Sequence, residues 1–76
     1  MQVIVILRVE ELQDGTFKPG FELIEPHGNG ETITPYLVDL FCENREEAEE
    51  QSKRHAAQEI IEQYGPDAKM FIKVEN

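Results

Sequence analysis

The chain has 76 residues, a formal net charge of −9 at pH 7 and a single cysteine, Cys42. A chain of this length forms one domain (residues 1–76), with room for about one helix layer on one sheet. Sixteen acidic residues against seven basic ones disfavour binding to nucleic acid or to an anionic membrane surface. One cysteine excludes an internal disulfide and argues against the disulfide-framework class of secreted proteins.

The apolar start of the chain, residues 1–7, has no basic stretch and is closed by Arg8. It is too short for the hydrophobic region of a signal peptide with its cleavage site, and far too short to span a bilayer. The composition, with 39% hydrophobic and 30% charged residues, is typical of a globular chain. We therefore expect a cytoplasmic protein with no membrane partner.

The densest run of β-branched residues covers residues 3–9, and both of its alternating faces are apolar. Val3 and Val5 lie on one face, and Ile4 and Ile6 lie on the other. A strand that is apolar on both sides is usually interior to its sheet. The pattern therefore predicts a first strand in a central position.

An Asp-Gly dipeptide at residues 14–15 predicts a two-residue hairpin turn with positive φ at both positions. This turn pairs Leu12 with Phe17. It also pairs Glu11 with Lys18, an opposite-charge pair across the hairpin.

Proline cannot donate to a strand ladder, so the Pro-Gly dipeptide at residues 19–20 predicts a bend or break. A second strand follows at residues 21–25, with Phe21 and Leu23 on one side. The segment 26–32 contains two glycines, a proline and an asparagine, and it predicts the clearest loop of the chain.

A third strand is predicted at residues 33–42, and it passes directly into a helix at residues 44–64. Asn44 is a good N-cap, and Glu47 stands where a capping box places an acid. Gly65 fits the left-handed position after the helix. A stripe with i+4 spacing is expected to face the core: Ala48, Ser52, Ala56, Ile60 and Tyr64.

A last strand is predicted at residues 68–75, which completes a β-β-β-α-β order. The fold class is therefore α+β, with a four-stranded mixed sheet and one long helix packed on one face. Crossovers between parallel strands are right-handed in nearly all proteins. With the first strand placed centrally, the predicted spatial order of the strands is 3-2-1-4.

One helix covers one face, so the apolar residues of the other face have no cover within the chain. Monomers rarely expose a large contiguous apolar patch, and such a patch often marks a contact surface. The residues predicted on this uncovered face are Ile4, Ile6, Leu37, Phe41 and Phe71. We expect a protein partner or a second copy of the chain to bind there, although a one-residue slip of register inverts each face.

Catalytic, metal and cofactor motifs give weak signals. His27 has no neighbours with ligand spacing, and the glycines at residues 28–30 lack the lysine of a phosphate-binding loop. Cys42 precedes a helix N-terminus, where a thiolate is stabilised, but alternation directs it toward the core. We therefore expect a non-enzymatic protein with no catalytic residues, no metal and no cofactor.

The β-β-β-α-β order resembles the first part of a ribonuclease-H-like fold, and residues 3–9 lack the metal-binding acid that such nucleases carry on the first strand. The resemblance implies a non-catalytic version. The strand-to-helix passage at residues 42–48, Cys-Glu-Asn-Arg-Glu-Glu-Ala, also resembles the small domain of HicB-type antitoxins. Residues 40–42, Leu-Phe-Cys, replace the proline-glycine-cysteine stretch usual in that family, and we expect no DNA-binding extension.

The leading hypothesis is a small acidic protein-interaction or regulatory module that acts as a homodimer through its uncovered sheet face. The alternative is an acidic inhibitor, similar to HicB antitoxins, that binds a basic partner through the surface of residues 43–62. A remote alternative is a small-ligand binder or enzyme that uses the loop at residues 25–32 together with Cys42.

Overall fold

The computed structural model describes residues 2–74, and these residues form six strands and one helix. In chain order the elements are β1 (Gln2–Leu7), β2 (Glu10–Glu11), β3 (Phe17–Lys18), β4 (Gly20–His27), β5 (Gly30–Leu37), α1 (Arg45–Tyr64) and β6 (Lys69–Val74).

The main sheet has the spatial order β5-β4-β1-β6, and β2 and β3 form a separate two-stranded ribbon. β1 pairs antiparallel with β4 and parallel with β6, while β4 and β5 are antiparallel neighbours. The four strands of the main sheet correspond to the third, second, first and fourth predicted strands. The α+β fold class and the order 3-2-1-4 are therefore confirmed.

The central position of β1 follows from its two apolar faces. Val3, Val5 and Leu7 are buried on the side that α1 covers, where they form the core with residues of β4 and α1. Ile4 and Ile6 point to the opposite side and are half-buried. β1 lies between β4 and β6, and the side chains of these two strands shield the apolar side chains on both faces of β1.

The helix begins and ends where capping chemistry predicts. The Asn44 side chain accepts a hydrogen bond of 2.8 Å from the Glu47 N–H, as an N-cap does. At the other end, Gly65 has a φ of +89° and its N–H donates to the Ile61 carbonyl at 2.9 Å. The buried side chains of α1 lie four residues apart: Ala48, Ser52, Ala56 and Ile60.

Gly20 is the point at which β4 meets the helix. Its N–H donates to the buried Ser52 hydroxyl at 3.1 Å, and that hydroxyl donates to the Ala48 carbonyl at 2.9 Å. A Cβ atom at Gly20 would lie 2.9 Å from the Arg8 carbonyl oxygen and 3.2 Å from the Tyr36 carbonyl oxygen. Only glycine therefore fits here without displacing backbone.

The predicted third strand at residues 33–42 is wrong at both ends, since β5 runs from Gly30 to Leu37. After Leu37 the backbone bonds change direction: the Val38 N–H donates to the Pro19 carbonyl at 3.2 Å. The Leu40 N–H then donates to the Val38 carbonyl at 2.8 Å, which closes a tight turn. The chain consequently leaves the main sheet five residues earlier than its apolar alternation predicts.

The long loop predicted at residues 26–32 is also wrong. β4 and β5 stay paired up to His27 and Gly30, so only Gly28 and Asn29 form the turn. Gly28 has a φ of +53°, and no described residue other than glycine has a positive φ. Positive φ at the first turn position alone is the pattern of a type II′ turn.

The β2–β3 hairpin differs from the prediction by one residue of register. Glu11 lies opposite Phe17, and the Leu12 N–H donates to the Thr16 carbonyl at 2.8 Å. Asp14 does not take positive φ, because its carboxylate instead accepts from the Thr16 hydroxyl at 2.6 Å and the Thr16 N–H at 3.0 Å. These bonds lower the pKa of Asp14 and produce a longer turn that closes at Gly15.

We expect Gly20→Ala to lower the free energy of unfolding by about 1–3 kcal/mol, because the added methyl group is forced against two backbone carbonyls. Urea unfolding measures this change. Gly30→Ala is the matched control: no atom lies within 4 Å of its Cβ position and its φ is not positive, so we expect a change within about 0.5 kcal/mol. Equal stability of the two variants would contradict the close approach at Gly20.

Candidate interaction surface

The face of the main sheet opposite α1, called the open face below, carries an apolar row that crosses all of its strands. Strand pairing places Ile24 beside both Ile4 and Ile33, and Ile4 beside Phe71. The order across the sheet is Ile33, Ile24, Ile4 and Phe71. The row is continuous because each strand contributes one residue at the same level.

Burial along this row falls from the centre toward the edges. Ile24 is only 8% exposed and Ile4 is half-buried, whereas Ile33 is 51% and Phe71 47% exposed. Since no helix of the described chain packs on this face, the central residues owe their burial to their neighbours within the sheet. The edges of the row present large apolar groups to solvent.

Charged side chains border the row on both sides. At the level of Glu31 on β5, the opposite edge strand carries Lys69. On the other side of the row, Glu22 on β4 lies at the same level as Lys73 on β6. Acidic residues thus lie on the β5 and β4 side, and lysines lie on the β6 side. Glu22 also pairs with Arg8 at 2.7 Å.

The structure places four of the five predicted contact residues on this face. Ile4, Ile6 and Phe71 share it, and Leu37 joins them at the end of β5, where it lies opposite Gly20 and is 82% exposed. The placement of Phe41 on the sheet is wrong, because β5 ends before it. Phe41 lies in the connection to α1, with the Lys18 ammonium 5.4 Å from its ring centroid.

Sequence reasoning missed Ile24 and Ile33, which form half of the apolar row. Alternation does predict the position of Ile24. With Phe21 and Leu23 on the helix side of the strand, Ile24 must point to the opposite side. The place of Ile33 beside Ile24 follows from the pairing of β5 with β4, which extends to Gly30.

Cys42 and His27 do not form a common site. His27 ends β4, and its Nε2 lies 2.6 Å from the Thr32 hydroxyl. Cys42 is buried and exchanges two backbone hydrogen bonds of 2.8 Å with Phe17, which precedes β4. An eight-residue strand spans about 23 Å, so the two side chains lie at opposite ends of the sheet.

Burial, and then the nearby Glu47 carboxylate, raises the pKa of the Cys42 thiol. The helix N-terminus, which lowers the pKa of an exposed cysteine, is outweighed here by burial. Cys42 therefore packs as a small apolar residue, as free cysteines often do.

The surface also has clefts that are open to solvent. A cleft of about 230 Å³ lies between β5 and α1, where His55 and Glu59 approach Tyr36 and Asp39. Across residues 2–74, no three His, Cys, Asp or Glu side chains converge as metal ligands would. The helix in this part of the chain is not apolar enough to cross a membrane.

Comparison of this chain with protein-family models, with curated proteins and with solved structures finds no match.

We expect the native protein to react with a disulfide reagent such as DTNB at pH 8 roughly a hundredfold more slowly than the urea-unfolded chain. Burial of Cys42 blocks the reagent, and the raised pKa lowers the thiolate fraction. Absorbance at a fixed reagent concentration gives both rates. A native rate equal to the unfolded rate would show that Cys42 is accessible.

Proposed function

We propose that this protein is a small, non-enzymatic interaction module of the cytoplasm that binds another protein surface through its open face. The observation that carries the proposal is the apolar row from Ile33 to Phe71, which crosses the sheet on the face that α1 leaves bare. Contiguous apolar patches rimmed by polar residues are typical of protein–protein contact surfaces.

The charge on the open face supports the same proposal. The chain as a whole carries −9, but among residues 2–74 the open face holds three basic side chains, Arg8, Lys69 and Lys73, against two acidic ones, Glu22 and Glu31. Interface cores are depleted of charge, and their rims are polar. Approach along this face therefore avoids the repulsion that the rest of the surface would impose on an acidic partner.

A second candidate function is inhibition of a basic protein. Four exposed carboxylates lie along the first turns of α1 and directly before its N-cap: Glu43, Glu46, Glu47 and Glu50. A basic partner would be attracted to them, and that association would weaken steeply with salt. Association through the apolar row is expected to persist in high salt, so ionic strength separates the two functions.

We expect Phe71→Glu and Ile33→Glu to abolish association, either of the protein with itself or with a protein captured from its native source. A carboxylate that replaces one of these apolar contact residues must be desolvated without a partner, which costs far more than the contact returns. Sedimentation velocity on the purified chain, and affinity capture with the tagged chain, provide the measurement.

Ile61→Glu is the matched control, since Ile61 is an exposed isoleucine, at 56%, on the helix and away from the open face. It should leave association unchanged. If association survives both open-face substitutions, or is lost equally in Ile61→Glu, the open face is not the contact surface. Circular dichroism confirms that each variant is folded.

A further inference from the structure

The open face carries acids toward one edge of the sheet and lysines toward the other, so it can be complementary to itself. Building on the proposed function, we propose that the partner is a second copy of this chain. The two open faces pack against each other about a two-fold axis parallel to the strands. In this arrangement Lys69 of each protomer pairs with Glu31 of the other.

Packing two identical faces leaves a small choice of geometry. A two-protomer contact is isologous, so the two-fold axis lies in the plane between the sheets, about 10 Å apart. An axis parallel to the strands through the middle of the sheet places β5 opposite the partner's β6, and β4 opposite the partner's β1. Each level of one sheet then meets the same level of the other.

This axis matches the apolar rows. Ile33 meets the partner's Phe71, and Ile24 meets the partner's Ile4, because their strands share one level of the sheet. The half-exposed edge residues of each row are then covered by the large edge residues of the other. The same rotation places Glu31 of each protomer opposite Lys69 of the other, so the dimer contains two such pairs.

The alternative axis, perpendicular to the strands, is disfavoured by charge. It places β6 opposite the partner's β6 and reverses the levels, so Lys69 meets the partner's Lys73. Four lysines would then meet at one edge, while Glu31 would meet Pro35. Opposed like charges are a common device against wrong orientations.

Lys69, Lys73 and Glu31 are available for such pairs. All three are exposed, and their side chains make no ion pair or hydrogen bond with another described residue. Rim ion pairs add little affinity, so their role in the dimer is to fix its orientation. The face of a four-stranded sheet covers only about 400 Å² in projection, a small interface, and we expect dissociation in the micromolar range.

The first test couples the native protein with a zero-length carbodiimide reagent and maps the products by mass spectrometry. Glu31 and Lys69 lie on opposite edge strands, about 14 Å apart within one protomer, so their side chains meet only across the dimer. A mixture of ¹⁴N- and ¹⁵N-labelled chains confirms that the crosslink joins two protomers. We expect a Glu31–Lys69 crosslink that joins two differently labelled chains.

The second test reverses charges. Lys69→Glu and Glu31→Lys should each weaken the dimer about tenfold, because two pairs become repulsive. The combined variant should restore wild-type affinity. Arg54→Glu and Glu62→Lys on α1 make the same changes in net charge at exposed sites and should leave the dimer constant within about twofold.

The outcomes separate this inference from the proposed function. A dimer that Phe71→Glu dissociates but that gives no Glu31–Lys69 crosslink, or no rescue in the combined variant, overturns the geometry and leaves the open face as the contact surface. A purified chain that remains monomeric at millimolar concentration overturns the second copy as the partner. Binding of a different protein lost in Phe71→Glu would still support the proposed function.

Discussion

One helix of twenty residues covers one face of a sheet that is apolar on both faces, and this mismatch governs the molecule. The buried stripe of α1 meets Val3, Val5 and their neighbours, which form the core. Ile4 and Ile24 point the other way, and within the described chain only adjacent strands shield them. A chain of 76 residues gains limited stability from a single core. Burial of the second face against another protein surface would add to it.

The helix reaches its place through a contact that composition does not reveal. The Ser52 hydroxyl accepts from the Gly20 N–H, and the absence of a side chain at Gly20 lets three segments of backbone converge. Beside that convergence β5 ends at Leu37, and the Val38 N–H donates to the Pro19 carbonyl as the chain leaves the sheet. Residues 37–42 alternate as a strand would, so sequence periodicity placed Phe41 on the sheet. A tertiary contact overrode the local pattern.

Much of the architecture followed from the sequence alone because its signals were strong: two apolar faces for β1, a capped helix and a Pro-Gly break. The turns were less predictable, since Gly28-Asn29 and Asp14-Gly15 each allow several hairpin types. For the open face, alternation correctly located Ile4, Ile6 and Phe71. Its charge pattern depended on exact pairing across the sheet, which only the structure supplies. The proposed partner, a second copy of this chain, rests on that pairing.

The accessibility of isoleucine methyl groups to a soluble paramagnetic agent, followed by NMR as protein concentration rises, tests the central claim most directly. Four isoleucines lie on the open face, and Ile61 is an exposed reference on the helix. The account predicts that Ile4, Ile6 and Ile33 lose accessibility with concentration while Ile61 stays accessible. Open-face methyls that remain accessible up to millimolar protein, or protection that appears first at Ile61, would contradict association of two copies through this face.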